Sequence, residues 1–270
     1  MPENNKDIDS ASDSFISENI TNSEYLIIYS INGKEKKLSI RNLGGKTYGF
    51  KEFSLTNVEP ERIYNTIDEK FVLYCKLNSL EIMVDVIEAD KHKINFLKRN
   101  KFSVKYSKIV FEKNLQDWEF NYYSLIELTS LKKTGRDKFL EIYGLVGKGD
   151  IEMSQDYVND FNTTVVYAGE RYDPENWYIA SVNGKIIGLI MPQIFADKAD
   201  EGSLFYIGVL PNERNKGYGK ILFQAGLQIL KERGAKRYIG STNTGNKPML
   251  KLFEGNNCKK ILLRDFYTAN

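Results

Sequence analysis

The most constraining feature of this 270-residue sequence is a strand that runs through two glycines directly into a long helix. The strand reads LFYIGVLP from Leu204, the connection reads NERNKGYG, and the helix reads KILFQAGLQILKERG. A helix amino terminus presents unpaired N–H groups and about half a positive charge, and glycines let an anion approach the backbone closely. The segment therefore predicts an anion cradle, for which a pyrophosphate is the natural ligand.

The residues around Gly217 and Gly219 exclude two common phosphate-binding motifs. A dinucleotide-binding fingerprint needs a third glycine and a parallel βαβ unit, whereas position 222 is leucine and the preceding strands are joined as hairpins. The long glycine-to-lysine spacing of a Walker loop is also missing. A tight strand-to-helix turn, with glycines for geometry alone, stays open as an alternative.

Charge and histidine content narrow the classes of function. The chain has 38 Lys+Arg against 36 Asp+Glu, a net charge of +2, so no charge excess favours nucleic acid as a partner. The basic run from Lys98 to Lys108 is explained by cations alternating with aromatic residues along one strand. The single histidine, His92, excludes most multi-histidine metal sites, and we predict no metal.

The two cysteines and the hydropathy pattern bear on location. Cys75 and Cys258 form neither a CxxC pair nor a secreted disulfide framework, which predicts a reducing, cytoplasmic compartment. No segment approaches the roughly 20 apolar residues that a spanning helix needs, so we predict no membrane partner.

The pattern along the chain predicts three segments. Residues 1–23, rich in acids, Asn and Ser, are predicted to be a flexible acidic tail outside the fold. Residues 24–117 are predicted to form a small α/β domain, with a hairpin turning at Asn32-Gly33 and a helix starting near Pro60. Residues 118–270 are predicted to form a second domain.

The pattern of residues 118–270 predicts a mixed α/β (α+β) fold, in which a mainly antiparallel sheet is flanked by helices. A hairpin turns at Asn183-Gly184, and the strand before the glycines follows it. The helix after the glycines ends at Gly234, and the remainder reads as a strand, a helix and a strand.

The glycine segment carries a resemblance to a known family. Val209-Leu210-Pro211 is followed by Arg214-Asn215-Lys216-Gly217-Tyr218-Gly219, and in this respect residues 120–270 resemble the GNAT superfamily of acyl-CoA-dependent N-acyltransferases. Near the end of the chain Asn246, Leu252 and Glu254 match the family pattern, whereas Phe253, Asn257 and Cys258 depart from it. We interpret residues 24–117 as a degenerate, shortened copy of the same fold, with an unrelated small α+β domain as the alternative.

The resemblance implies acetyl-CoA as the acyl donor. Backbone N–H groups from Asn215 to Lys220 would hold the pyrophosphate, the strand from Ile207 to Val209 would bind the pantetheine arm, and the Val209 N–H would stabilise the oxyanion. We also interpret Gly208 as room for that arm beside the strand. The predicted cofactor-binding residues are Ile207, Val209, Arg214, Asn215, Lys216, Gly217, Tyr218, Gly219, Lys220 and Asn246.

The acid–base groups are less well specified by the sequence. Attack by an amine needs a base, and some family members place a glutamate where this chain has Ser203. We select the nearby Glu201 as the catalytic candidate, with a solvated acidic loop around Asp200 as the alternative. The family's general acid falls at Phe253, which cannot donate a proton, and the thiolate then leaves unaided.

These observations predict an N-acetyltransferase that transfers an acetyl group from acetyl-CoA to a primary amine by direct attack in a ternary complex. Two alternatives stay open, a CoA-binding module without catalysis and a structural or interaction protein. The acceptor, a small molecule or a peptide amine, is not identified by the sequence. The oligomeric state is not identified either, and a homodimer is among the open choices.

Overall fold

The computed structural model describes residues 14–20, 24–44, 47–50, 69–85, 91–195 and 198–269. The chain divides into two compact units. The first contains residues 1–107 and 263–270, and the second contains residues 108–262. Each unit is described by itself below.

The described chain contains runs of strands followed by runs of helices. In chain order they are β1 (Ser14–Ile20), β2 (Glu24–Ile31), β3 (Lys34–Gly44), β4 (Thr47–Phe50), α1 (Glu69–Asn78), β5 (Glu81–Asp85), α2 (Lys91–Arg99), β6 (Phe102–Asn114), β7 (Glu127–Ser130), α3 (Leu131–Thr134), α4 (Arg136–Val146), α5 (Tyr157–Ala168), β8 (Tyr178–Val182), β9 (Lys185–Ile194), β10 (Glu201–Val209), α6 (Tyr218–Glu232), β11 (Arg237–Asn243), α7 (Lys247–Gly255) and β12 (Lys259–Ala269).

The first unit is built on a meander and its partner strands. Strands β1 to β4 pair antiparallel in chain order, β4 pairs parallel with β5, and β5 pairs antiparallel with the end of β12. The predicted hairpin turn is confirmed, because Asn32 and Gly33 both have positive φ, at 52° and 69°. Alternate β2 residues Tyr25, Ile27 and Tyr29 are buried in the core of this unit.

Strand β1 differs from the prediction for the amino-terminal tail. Residues 14–20 lie within the segment predicted to be outside the fold, yet they pair with β2 from Ser14↔Ser30 to Ile20↔Tyr25. The physical reason is that SFISENI contains one aromatic and two β-branched residues, and pairing covers the edge of β2. Residues 1–13 and 21–23 lie outside the described residues, as does the predicted helix start near Pro60.

The second unit contains a mainly antiparallel sheet, which confirms the predicted fold class. Its strand order is β6-β11-β10-β9-β8-β7, and β10 and β11 form the parallel pair. The Asn183-Gly184 hairpin is confirmed by φ values of 50° and 74°. The division between the units falls at residue 108 and again at residue 262, which differs from the predicted boundary at residue 117.

Helices cover both faces of the second sheet. On β9, Leu189 and Met191 pack with α4 and α5, whereas Ile190 packs with α6. Successive strand residues point to opposite faces, so α4 and α5 lie on one face and α6 on the other. The α6 face is apolar as predicted, and its buried residues are Leu222, Phe223, Ala225, Gly226, Leu227, Gln228, Ile229 and Leu230.

Helix α5 is not among the elements that the sequence pattern predicted for residues 118–270. Its sequence, YVNDFNTTVVYA, is rich in β-branched residues and asparagine, which have low helix propensity. The Asp156 side chain caps the helix by accepting a hydrogen bond from the Asn159 N–H at 3.0 Å. Fully buried Phe161 contacts the rings of Phe139, Tyr143 and Trp177. Tertiary packing therefore stabilises a helix that local preference disfavours.

Candidate active site

Strands β10 and β11 diverge after a short stretch of parallel pairing. Their pairing consists of Glu201↔Arg237 and Gly202↔Tyr238, and within the described residues it does not continue beyond them. On its other side β10 pairs with β9 along its length, apart from a bulge between Leu204 and Ile207. The β11-facing edge of β10 after Gly202 is therefore available to a ligand.

The direction of the β10 backbone groups identifies the donors on this open edge. The Leu210 N–H donates to the Ile187 carbonyl on β9 at 2.9 Å. Because N–H groups alternate along a strand, the N–H groups of Val209 and Ile207 point to the opposite edge. Two of the residues predicted to bind the cofactor arm thus have donors on the open edge.

The glycine inside β10 has a different cause from the one that the sequence suggested. A Cβ atom on Gly208 would lie 2.9 Å from the Cβ of Val146 at the end of α4. A Cβ atom on Gly188 would lie 2.1 Å from the Gly208 carbonyl oxygen. The close packing of α4 therefore requires Gly208, the close approach of the Gly208 carbonyl requires Gly188, and Gly208 is not independent evidence for a bound arm.

The start of α6 presents a set of unpaired backbone donors. Asn215 and Gly217 adopt positive φ, at 63° and 86°, and Gly217 precedes the first residue of the helix. The Lys220 and Ile221 N–H groups donate to the Gly217 carbonyl, at 3.1 Å and 3.4 Å. Within the part of the chain that the structure describes, no acceptor is found for the N–H groups of Asn215, Lys216, Gly217, Tyr218 and Gly219. This group of five is named the N–H cradle.

The N–H cradle has the chemistry of an anion site. Unpaired helix donors and the aligned peptide dipoles both favour negative charge at this end of α6. Of the predicted backbone donors from Asn215 to Lys220, five are available, and the sixth, Lys220, is engaged with Gly217. The Lys220 side chain is exposed on the first turn.

The charged side chains of the connection have structural partners. Glu213 is only 4% exposed, and its two carboxylate oxygens pair with Lys185 at 2.5 Å and Lys216 at 3.0 Å. Hydrogen bonds from Lys185 and then Lys216 lower the pKa of Glu213. Lys216 was predicted to supply positive charge to the anion, but its ammonium group is directed to Glu213, so its contribution to the cradle is its backbone N–H.

Arg214 links the connection to the end of α4. Its Nε donates to the Val209 carbonyl at 3.1 Å, and Nη2 donates to the carbonyls of Val146 and Lys148 at 2.9 Å and 3.0 Å. The guanidinium therefore joins the end of β10 to the loop after α4. Sequence reasoning assigned this side chain to the cofactor, whereas the structure gives it three backbone acceptors within the protein.

Asn246, predicted to contact the cofactor, lies at the start of α7. Its side-chain oxygen accepts from the Met249 N–H at 3.3 Å, so it caps the helix. Its amide nitrogen donates to Glu152 Oε1 at 3.3 Å. Leu252 on α7 faces Gly219, where an added Cβ would lie 3.7 Å from Leu252 Cδ1. The start of α6 is thus adjacent to the second turn of α7.

The placement of Glu201 does not favour it as the base. Its carboxylate pairs with Arg237, and with Lys198 at 3.5 Å. It lies at the first residue of β10, and Val209 is the last. At about 3.3 Å per residue, these positions are roughly 26 Å apart. Glu201 therefore belongs to a set of ion pairs at the first residue of β10, at the end of that strand away from the N–H cradle.

The two positions at which the family pattern is broken are structurally distinct. Ser203 lies in the short stretch beside the parallel pairing, opposite Gln193. Phe253 is fully buried and stacks on Phe111 with ring centroids 4.4 Å apart. Phe253 is therefore a core residue, remote from any proton-transfer role.

Sequence reasoning missed two carboxylates on the loop between α4 and α5. Asp150 Oδ2 accepts from the Tyr206 hydroxyl of β10 at 2.9 Å. Glu152 Oε1 accepts from the Thr242 hydroxyl and the Asn243 N–H of β11, at 2.6 Å and 2.9 Å. The signal that could have found them is the pair of glycines at 147 and 149, which mark a loop after a helix directly ahead of these acids.

The described residues contain neither a cluster of metal ligands nor a helix that could span a membrane. No group of three or more His, Cys, Asp or Glu side chains is arranged there to hold a metal ion. Among the described helices, none combines the length and apolar character that crossing a membrane requires.

Comparisons with known proteins found a family model and two curated relatives that match part of the second unit. Residues 149–256 match the family model described as the Acetyltransferase (GNAT) family. Two curated relatives are mycothiol acetyltransferases. That of Thermomonospora curvata is 29% identical over 83 residues, covering 31% of this chain and 27% of the relative. That of Thermobispora bispora is 30% identical over 87 residues, covering 31% of this chain and 30% of the relative. The chain thus matches less than a third of each relative's length.

Solved structures show likeness over most of the chain. A GCN5-related N-acetyltransferase from Sphaerobacter thermophilus has a TM-score of 0.65 at 12% identity, covering 93% of this chain and 81% of that chain. A tandem GNAT protein from the clavulanic acid biosynthesis pathway has a TM-score of 0.59 at 12% identity, covering 92% and 82%. At this level of identity the likeness shows the fold.

Proposed function

We propose, on the premise that residues 149–256 are a GNAT acetyltransferase domain, that this protein transfers an acetyl group from acetyl-CoA to a primary amine. The observation that carries the proposal is the N–H cradle at the start of α6, beside the open edge of β10. The mycothiol acetyltransferases support acetyl transfer as the class of reaction. The matched segment is short, so no acceptor is inferred from them.

The residues present fit acetyl-CoA, which would supply an activated acetyl thioester. The N–H cradle would bind the diphosphate, because five donors converge at the positive end of α6. The N–H groups of Ile207 and Val209 would hydrogen-bond the cofactor's arm along the open edge of β10. The Val209 N–H would also stabilise negative charge on the carbonyl oxygen during attack. Asn246 would approach from the start of α7.

Direct attack by the amine fits the state of the cysteines. Burial raises the pKa of Cys258 to about 11 and that of Cys75 to about 12, so neither is a thiolate at neutral pH. The attacking amine loses a proton to water, its nitrogen bonds to the acetyl carbon, and the carbon–sulfur bond breaks with its electron pair on the departing thiolate. The departing thiolate is a tolerable leaving group without a general acid, because a free thiol has a pKa of about 8.5.

Phe253 and Ser203 favour one second candidate, a CoA-binding module that has lost catalysis. Neither residue supplies the acid or base that the family pattern places at these positions. A further possibility, an interaction protein whose glycines serve only the turn, predicts no CoA binding. We expect action in the cytoplasm on a small-molecule or peptide amine, since both cysteines are free thiols.

One experiment separates these candidates. The full chain is titrated with CoA by calorimetry and then incubated with acetyl-CoA and a panel of primary amines, and thiol release is measured. Binding followed by amine-dependent thiol release is the expected result. Binding without release for any amine would support the module, and the lack of binding would contradict the N–H cradle as a diphosphate site.

A further inference from the structure

The loop between α4 and α5 contacts both of the strands that diverge in the second unit. Residues 147–156 are named the bridging loop. Asp150 on this loop is bound by Tyr206 of β10, and Glu152 is bound by Thr242 and Asn243 of β11. A single loop therefore reaches across the opening between β10 and β11, beside the proposed thioester position.

The β10 bulge aims Tyr206 at the bridging loop. Phe205 and Tyr206 both pack in the cluster formed with α4 and α5, although successive residues of a regular strand point to opposite faces. The register shift between Leu204 and Ile207 explains this, because a bulge puts an extra residue on one face. Tyr206 also lies 4.9 Å, centroid to centroid, from Tyr143 of α4.

Asp150 accepts two hydrogen bonds and forms no ion pair within the described residues, although the Arg214 guanidinium lies near its loop and donates to the Lys148 carbonyl. Its Oδ2 accepts from Tyr206, and its Oδ1 accepts from the Glu152 N–H at 2.9 Å. No lysine or arginine in the described part of the chain forms an ion pair with it. Burial, followed by the charge of Asp150, strongly raises the pKa of Tyr206, so the hydroxyl remains a donor to the carboxylate.

Asp150 is connected to the proposed reaction centre through Arg214 and Tyr206. The Arg214 guanidinium spans from the Lys148 carbonyl, two residues before Asp150, to the Val209 carbonyl. Tyr206, which contacts Asp150, precedes Val209 by three residues on the same strand. A partly buried carboxylate at this place favours a cation supplied by a ligand.

Glu152 fixes the bridging loop from the other side. Its Oε2 pairs with Lys108 at 2.6 Å, and its side chain is 20% exposed. Its pKa is lowered: burial would raise it, but the Lys108 charge and hydrogen bonds from Lys108, Thr242 and Asn243 outweigh that effect. Glu152 is therefore ionised at neutral pH and ties the loop to β11.

We propose that Asp150 is the specificity-determining residue that binds the ammonium form of the acceptor, and that Glu152 is the positioning residue that holds Asp150 in place. The proposal rests on the proposed function and names its acceptor class, a primary amine that arrives as a cation. Asp150 binds the charged amine, which loses a proton to water before its nitrogen attacks the thioester. Tyr206 orients the carboxylate.

The test compares two primary amines of similar size, an alkylamine that is protonated at neutral pH and an alkoxyamine that is neutral there. Asp150→Asn is expected to raise the KM for the alkylamine about 10- to 100-fold, the effect of losing one charged hydrogen bond. The alkoxyamine KM and the Kd for acetyl-CoA are expected to change less than about threefold. Asp137→Asn, on the exposed first turn of α4, is the control for net charge.

Equilibrium binding keeps the test independent of turnover. The alkylamine is titrated into the CoA complex of wild type and Asp150→Asn. Equal affinity of the two proteins would overturn the proposal, and so would an equal loss for both amines. Absence of thiol release by the wild type would instead contradict the proposed function while leaving this titration decisive.

The positioning role of Glu152 has its own readout. Glu152→Gln is expected to reduce the discrimination between alkylamine and alkoxyamine, and to change the Kd for acetyl-CoA by a smaller factor, since Asn246 also contacts Glu152. A loss of unfolding free energy with unchanged discrimination would show that Glu152 only stabilises the fold. Glu141→Gln, which breaks an exposed ion pair on α4, is the matched control.

Discussion

Arg214 Nε donates to the carbonyl oxygen of Val209 at 3.1 Å, and this contact joins the two parts of the signature that precedes α6. The same guanidinium binds the last carbonyl of α4 and that of Lys148. The strand that would hold the cofactor's arm and the loop proposed to select the acceptor are therefore connected through one side chain.

Arg214→Lys is expected to loosen this connection. A lysine ammonium lacks the planar fork that reaches three carbonyls, so the loss is about 1–2 kcal/mol of unfolding free energy. Hydrogen exchange should accelerate at residues 147–153, and the acceptor KM should rise more than the acetyl-CoA Kd. The control is Arg171→Lys at an exposed position. It should change neither the hydrogen exchange of residues 147–153 nor the acceptor KM.

Gly217→Ala tests the N–H cradle. Gly217 has φ +86° and open space around its Cβ position, so alanine meets no clash but adopts a left-handed conformation at a cost of about 1 kcal/mol. Gly234, at the other end of α6, has φ +96° and equally open surroundings. Gly234→Ala should therefore cost a similar free energy of unfolding. Only Gly217→Ala should weaken acetyl-CoA binding, and equal affinity in the two variants would argue against the cradle.

Phe253→Tyr tests whether the broken family position is a lost general acid. Phe253 is fully buried against Phe111, so a hydroxyl there enters the core without a partner and should cost about 1–3 kcal/mol. No gain in kcat is expected. Urea unfolding measures the loss of unfolding free energy, and Phe120→Tyr at a partly exposed site is the comparison. A kcat increase of tenfold or more in Phe253→Tyr would show that this position can serve catalysis.

Glu213→Gln should alter the pH dependence of stability. The lowered pKa of Glu213 means that its stabilisation is present above the unfolded-state pKa of about 4.3 and is lost as the pH falls through the folded-state pKa. The variant should be less stable than wild type at neutral pH, and the difference should narrow as the pH falls below about 5. Glu254→Gln, at an exposed position, should show no such narrowing.

The sequence predicted the features that local chemistry determines. Asn32-Gly33 and Asn183-Gly184 adopt the positive φ values that their turns require, and α6 begins after Gly217. The family resemblance implied backbone donors from Asn215 to Lys220, and the first five of these N–H groups have no acceptor within the described residues, because unpaired donors at a helix start follow from the local chain path.

Features that depend on distant partners were not predicted. Helix α5 is stabilised by the burial of Phe161, which no local pattern reveals. Counting back from Gly217 led to Ser203 and then to the nearby Glu201, whereas Asp150, which accepts from Tyr206 of β10, lies on the bridging loop, which is distant in sequence. Arg214 and Lys216 have intramolecular partners that spacing alone does not show.

The early divergence of β10 from β11 leaves main-chain groups that a neighbouring strand would ordinarily satisfy. An uncovered strand edge is also a template for another copy of the chain, so the ligand-free protein carries an inherent tendency to aggregate there. A small molecule that occupies the edge would satisfy these main-chain groups and prevent another copy of the chain from pairing there. Preparations saturated with the thioester should therefore resist precipitation for longer than ligand-free ones.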